Sequence, residues 1–171
     1  MVTRSLRVVP SVVLLLGLLL GSAIADTISG RVVGVADGDT LTVLDASKQQ
    51  HKIRLDGIDA PEKAQPFGQR SKQSLSDLAY NRNVQVQTHK RDRYGRVVGK
   101  VLLDGTDLNL IQINRGMAWH YKAYAREQTP EDRASYASAE DVARDEKRGL
   151  WRDKEPTPPW DWRKSAKRSQ N

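Results

Sequence analysis

An α+β fold, a small closed β-barrel carrying three helices, is what the sequence predicts. Three observations carry that prediction. β-Branched and helical stretches follow one another in the order β-β-β-α-β-β-α-α, Asp-Gly pairs punctuate the β segments, and the length suits a single core. Of 171 residues, the first 25 have the layout of a leader, and the 146 that remain fit one domain.

The leader comes first. Arg4 and Arg7 precede an apolar run from Val8 to Leu20, and the small residues Gly21, Ser22, Ala23 and Ala25 follow. The run is short for a bilayer span, and Ala23 and Ala25 make an A-x-A cleavage site, so cleavage is expected after Ala25 and the mature chain is expected to be periplasmic or secreted. An uncleaved N-terminal anchor is the alternative. The domain is then expected over residues 26–152.

Thr27 to Ala36 and Thr40 to Asp45 read as strands joined at Asp37-Gly38-Asp39, a hairpin signal. A third strand runs from about His51 to Leu55, with Ile53 and Leu55 on one face and Arg54 on the other. Pro66 to Tyr80 reads as a helix with Leu75, Leu78 and Ala79 at core spacing, and strand signals follow at Val84 to Thr88 and Val97 to Leu103. Asp104-Gly105 breaks the last strand. Thr106 is then expected to cap a second helix bearing Leu110, Ile111 and Asn114, stopped by Gly116. The third helix has Thr129 as its N-cap, Pro130 as its first residue and Gly149 at its end, with a narrow stripe of Tyr136, Ala139, Val142 and Ala143. Residues 153–171 are Pro-rich and basic and are expected to form an extended, disordered tail. Trp160 and Trp162 leave open whether that tail touches nucleic acid, lies on a membrane surface or docks on the domain. Five strands and three helices in this order suggest an OB-fold, a five-stranded Greek-key barrel, although other α+β domains share the pattern.

Composition narrows the partners. The 28 basic and 21 acidic residues leave a formal charge of +7, and loss of the two leader arginines leaves +5. A basic exported chain favours polyanions: nucleic acid, acidic polysaccharide or an anionic membrane surface. The absence of cysteine excludes a disulfide framework and a thiolate zinc site. His51, His89 and His120 share no ligand spacing, which makes them structural or surface residues.

Chemistry concentrates in three short segments: Asp37-Gly38-Asp39-Thr40, Arg54-Leu55-Asp56-Gly57-Ile58-Asp59-Ala60-Pro61-Glu62, and Asp92-Arg93-Tyr94-Gly95-Arg96. Each alone is an ordinary turn or surface feature. Together, the carboxylates offer a hard-oxygen site suited to calcium, magnesium or manganese, and Arg54 and Arg96 offer guanidinium forks suited to phosphate oxygens.

In order and spacing, D-G-D-T, R-L-x-G-I-D-A-P-E and D-R-Y-G-R resemble the three signature motifs of the staphylococcal (micrococcal) nuclease family. The likeness extends from about Ile28 to Trp151, through R-G-M-A-W at Arg115 to Trp119 and G-L-W at Gly149 to Trp151. The resemblance implies a calcium-dependent nuclease that cleaves DNA and RNA with low sequence specificity, gives 3′-phosphate products and acts as a monomer. It implies Asp39, Asp59 and the Ala60 carbonyl as calcium ligands, with Asp37 close to the metal. Arg54 and Arg96 would bind the scissile phosphate, and Glu62 would position or deprotonate the attacking water. Arg93 and Tyr94 match positions that contact a terminal phosphate, and either Tyr121 or Tyr124 would stack on a base. Ala60 stands where the best-known member has Thr. Between Glu62 and Pro66 lie just Lys63, Ala64 and Gln65, where that member has a longer lysine-bearing loop. Two other readings remain: a catalytically silent nucleic-acid-binding module on the same barrel, or an accessory protein in polysaccharide or conjugation processes.

Overall fold

The computed structural model of the chain describes residues 26–168, so the expected leader lies outside the described residues. In chain order the elements are β1 (Asp26–Asp37), β2 (Thr40–Asp45), β3 (Gln50–Leu55), β4 (Ile58–Asp59), α1 (Gly68–Ala79), β5 (Asn83–Arg91), β6 (Val97–Leu103), β7 (Thr106–Asp107), α2 (Leu108–Asn114), β8 (Trp119–His120), α3 (Pro130–Asp145) and α4 (Pro159–Arg168). Two 3₁₀ turns, Lys122–Glu127 and Gly149–Arg152, flank α3.

The five long strands pair in the order β3-β2-β1-β5-β6, and a parallel pairing of β3 with β6 closes the ring. This is the five-stranded barrel expected, with the helices of an OB-type α+β domain packed on it. β1 serves two neighbours. Its first half pairs with β5 and its second half with β2, and register shifts between Val32 and Gly34 and between Val35 and Asp37 bend it around the ring. Alternation along each strand fills the interior: Val84, Val86 and Thr88 of β5 point in while their neighbours face solvent. Ile53 and Leu55 of β3 are likewise buried in the core, which sends Arg54 to the opposite face.

Several local expectations give way. α1 starts at Gly68, because Phe67 at its N-cap adopts φ +66° and cannot continue a helix begun at Pro66. Asp107, not Thr106, caps α2, its side chain accepting from the N–H groups of Asn109 and Leu110. The buried face of α2 is Leu108, Asn109, Gln112 and Ile113, with Leu110 and Ile111 only partly buried. α3 keeps Thr129 as its cap but ends at Asp145, four residues before Gly149, where Lys147 already turns to φ +52°. Its stripe holds Glu140 in place of Val142, which is exposed. Glu140 stands four residues after Tyr136 and so falls on the buried side of the helix. Its carboxylate is compensated there by the His120 N–H, Lys122 and Arg144.

The largest correction concerns the tail. Residues 159–168 form α4, with Pro159 at its first position, Asp161 in the first turn and Lys167 and Arg168 in the last, so charge complements the helix dipole at both ends. It packs where Trp119, Leu150 and Trp151 make a second, smaller apolar cluster with Phe67 and Trp160 at its edge. Among the described residues no helix is long and apolar enough to cross a membrane.

Candidate active site

The site lies where two tight turns meet. β1 and β2 are joined by Gly38 and Asp39 alone, and a Cβ on Gly38 would fall 1.7 Å from Ser71 Oγ of α1. Only glycine lets that turn sit against the helix. β3 reverses into β4 through Asp56 and Gly57, the latter at φ +72°. The turns are stitched together by backbone: Leu55 N–H donates to the Asp39 carbonyl over 2.8 Å.

Helix α2 braces both. Gln112 Nε2 donates to the Gly38 carbonyl (2.8 Å) and the Ser71 carbonyl (3.1 Å), while its Oε1 accepts from Ser74 Oγ. Asn109 Nδ2 donates to the Asp56 carbonyl over 2.9 Å. Both amides are fully buried. They are positioning residues that the sequence reading passed over, since a polar residue in a helix reads as solvent-facing unless a buried carbonyl awaits it.

Between the turns, the carboxylates and Arg54 converge. Arg54 Nη1 lies 2.9 Å from Asp39 Oδ2 and Nη2 lies 2.8 Å from Asp59 Oδ1, so one guanidinium forks between two acids. Nη1 also donates to the carbonyls of Leu55 (3.2 Å) and Ile58 (2.9 Å), which fixes the fork to the β3–β4 turn. Asp39 Oδ2 accepts from the Ala60 N–H over 2.7 Å, and its Oδ1 accepts from Thr40 Oγ1. Asp37 does not join the cluster directly; its carboxylate receives the Asp39 N–H.

Electrostatics leave the cluster short of positive charge. Burial pushes the Asp39 carboxyl up to about 7 against the pull of Arg54, and Asp37 and Asp59 add to the rise. Burial opposes the Arg54 charge as well, yet Asp39 and Asp59 hold its pKa above the ordinary value. One guanidinium thus satisfies itself without satisfying the acids around it. A second cation meets Asp59 and, beside it, Glu62. Arg163 of α4 places Nη2 2.8 Å from Asp59 Oδ2 and Nη1 2.7 Å from Glu62 Oε1. Among the described residues no three acids or histidines are already gathered around one point. The donor set is nonetheless all hard oxygen, the chemistry that suits a hard divalent cation such as calcium, magnesium or manganese.

The rest of the expected site is brought near but not into contact. Arg96 Nε binds Asp92 Oδ2 at 2.7 Å inside the turn that precedes β6, and β6 pairs with β3 so that Val98 faces Arg54. Burial disfavours the Asp92 charge, but Arg96 and the N–H groups of Arg96 and Tyr94 hold its carboxyl below the usual range. Tyr94 is 69% exposed, with the Arg93 guanidinium 4.9 Å and the Arg96 guanidinium 5.6 Å from its ring centre. Tyr121 and Tyr124 lie 5.1 Å apart, and Lys90 stands over Tyr124. The open face of Tyr121 is taken by Trp160, stacked at 5.4 Å and 17°. Two histidines are structural, His51 bound to Asp45 and His120 to Gln128, and His89 is exposed on β5.

Arg163 and Trp160 were missed by the sequence reading as site residues. The signal was present, since they stand three apart and share a helix face, but a Pro-rich basic stretch masked it.

Comparisons with known proteins agree with this architecture. The staphylococcal nuclease homologue family model matches residues 52–153. An "uncharacterized endonuclease" of Haemophilus influenzae is 42% identical over 137 residues, covering 80% of this chain and 74% of that protein. A "micrococcal nuclease" of Shigella flexneri is 40% identical over 151 residues, with 83% and 84% covered. The "staphylococcal-like nuclease CAN1" of Arabidopsis thaliana is 37% identical over 119 residues, 70% of this chain and 35% of that longer protein. The matched span runs from within β3 through the β3–β4 turn and helices α1 to α3, more than half of the chain, and the chain belongs to the staphylococcal nuclease homologue family.

Proposed function

We propose that the chain is an exported, calcium-dependent phosphodiesterase that hydrolyses DNA and RNA with low sequence preference and leaves 3′-phosphate ends. The observation that carries this reading is the Arg54 fork between Asp39 and Asp59, with Glu62 one guanidinium away. A family that is generally metal-dependent and relatives named as nucleases support it. The leader at residues 1–25 is the ground for export.

Calcium would be held by Asp39, Asp59 and the Ala60 carbonyl, and there it would supply charge neutralisation at the scissile phosphate. Arg54 is anchored by two backbone carbonyls, which hold its guanidinium beside the acids, next to where negative charge grows on the non-bridging oxygens. Arg96, turned from Asp92 to the phosphate, provides the second fork. Glu62 is the exposed acid of the trio, 42% open at its side chain against 1% for Asp59, and so is the one that water reaches. It orders the attacking water and accepts its proton as the water oxygen bonds to phosphorus and the bond to the 5′-oxygen breaks. That oxygen takes a proton from solvent and leaves as a hydroxyl. Arg93 and Tyr94 hold a terminal phosphate, and either Tyr121 or Tyr124 stacks on a base, a sequence-tolerant contact.

The test is digestion of single-stranded DNA, duplex DNA and RNA by protein starting at Asp26, with calcium and with a chelator. All three should be cut, only with calcium, leaving 3′-phosphates. Cleavage that survives the chelator, or 5′-phosphate products, would contradict the reading.

A further inference from the structure

The helix α4 is built into the site it covers. Arg163 takes both available edges of the acids: Nη2 and Nη1 reach Asp59 at 2.8 and 3.3 Å, and Nη1 reaches Glu62 at 2.7 Å. Three residues earlier on the same face, Trp160 stacks on Tyr121 and meets Trp119 edge-on at 5.6 Å. Just before the helix, the Thr157 carbonyl accepts from Gln65 Nε2 at 2.6 Å, and Gln65 Oε1 in turn accepts the Glu62 N–H. A cationic group therefore stands on Asp59, a carboxylate assigned to the cation, and on Glu62, the acid assigned to the attacking water, and an aromatic plane stands on Tyr121, one of the two rings assigned to a base.

We infer that α4 is an intramolecular competitor for the active site, Arg163 filling the place of the divalent cation and Trp160 that of a nucleobase, so that calcium and nucleic acid bind by displacing it. The inference rests on the function proposed above. Both oxygens of Asp59 are engaged, Oδ1 by Arg54 and Arg163 and Oδ2 by Arg163, and the side chain is 1% exposed. An ion has no free edge of Asp59 to bind until Arg163 leaves. Displacement is feasible because the attachment is made of side chains. Arg163 is itself 39% exposed, an ion pair at that exposure is weak, and a divalent ion outbids a single charge for the same oxygens. Burial works against the Arg163 charge, while hydrogen bonds to Asp59 and Glu62 hold its pKa above the ordinary value, as befits a group standing in for a cation. The apparent affinity for calcium is then the intrinsic affinity scaled by the fraction of chains with α4 released. Calcium and nucleic acid, each displacing the same helix, bind with positive cooperativity.

The experiment is titration of the full chain with calcium chloride alone, by calorimetry, for wild type, Arg163→Gln, Trp160→Ala and Lys167→Ala, with hydrogen exchange of residues 159–168 followed in wild type. Arg163→Gln should bind calcium about tenfold more tightly, the gain expected if α4 is closed in nine chains of ten. Removing a charge beside the ion could tighten binding by itself, so the uncharged Trp160→Ala decides: it should tighten binding about threefold or more by the same relation. Lys167 is exposed on α4, and Lys167→Ala should match wild type. Calcium should raise the exchange of residues 159–168 in wild type, a readout that survives any misfolded variant. Equal affinities in wild type and Trp160→Ala, or exchange that is unchanged or slowed by calcium, would overturn the competitor while leaving the cation site intact. Absence of calcium binding in every variant would overturn both. Weaker calcium binding with lost turnover in Arg163→Gln would make Arg163 a substrate ligand and end the proposal.

Discussion

The β3–β4 turn and the C-terminal helix deliver arginines to one acidic cluster, sharing Asp59, by different means. Arg54 emerges from a barrel strand, its neighbours Ile53 and Leu55 buried in the core, and its guanidinium is bonded to two backbone carbonyls as well as two acids. Arg163 rides on a ten-residue helix attached by an ion-pair cluster, by Trp160 packed on Tyr121 and Trp119, by the buried Pro159 and by a hydrogen bond from Gln65 to the Thr157 carbonyl just before it. The first arrangement has no soft degree of freedom, because strand, turn and helix α2 all agree on it. The second can open without disturbing the barrel. A preorganised group suits transition-state charge, and a detachable group suits control of access.

Substitutions probe that contrast, and the first has the largest expected effect. Arg54→Lys keeps the charge but loses the fork, and turnover should fall by about 100-fold or more while circular dichroism keeps a folded barrel. Turnover near wild type would remove Arg54 from the chemistry. Gly38→Ala forces a methyl into Ser71 and should cost roughly 1–3 kcal/mol in denaturant unfolding, with a loss of turnover as Asp39 shifts. Gln112→Leu strips the Gly38 and Ser71 carbonyls and the Ser74 hydroxyl of their buried partner, and about 1–3 kcal/mol is expected from the same unfolding measurement. A change below about 0.5 kcal/mol would mean that α2 does not brace the turn. At the far end of the scale, Lys164→Ala removes an exposed pairing with Asp161 on α4, and both thermal midpoint and calcium affinity should stay at wild-type values.

The same contrast governs what the sequence disclosed. β1, β2, β3, β5 and β6 were legible because alternation and Asp-Gly turns are local signals, and barrel closure follows once β3 and β6 lie side by side. β4 and β8 were not, since two residues cannot show a period; they exist because Ile58 pairs with His120 and Asp59 with Trp119 across the fold. Glu140 in the α3 stripe and Gln112 and Asn109 in α2 were hidden for another reason, as each is buried only because a distant partner meets it. Asp39, Asp59, Arg54 and Glu62 were legible as a motif, and the structure places them around two guanidiniums, with Arg96 in the adjacent turn bound to Asp92. The role of α4 was illegible in composition, which weighed the prolines of residues 156–159 and overlooked that Pro159 opens a helix.

The most direct test of the central claim is calcium titration of phosphodiester hydrolysis by Asp39→Ala beside wild type. The account predicts that half-maximal activity moves to at least about tenfold higher calcium, with the barrel intact, because a buried ligand carboxylate has been removed. An unaltered calcium midpoint would contradict it, since the buried cluster between the two turns would then not be where the cation acts.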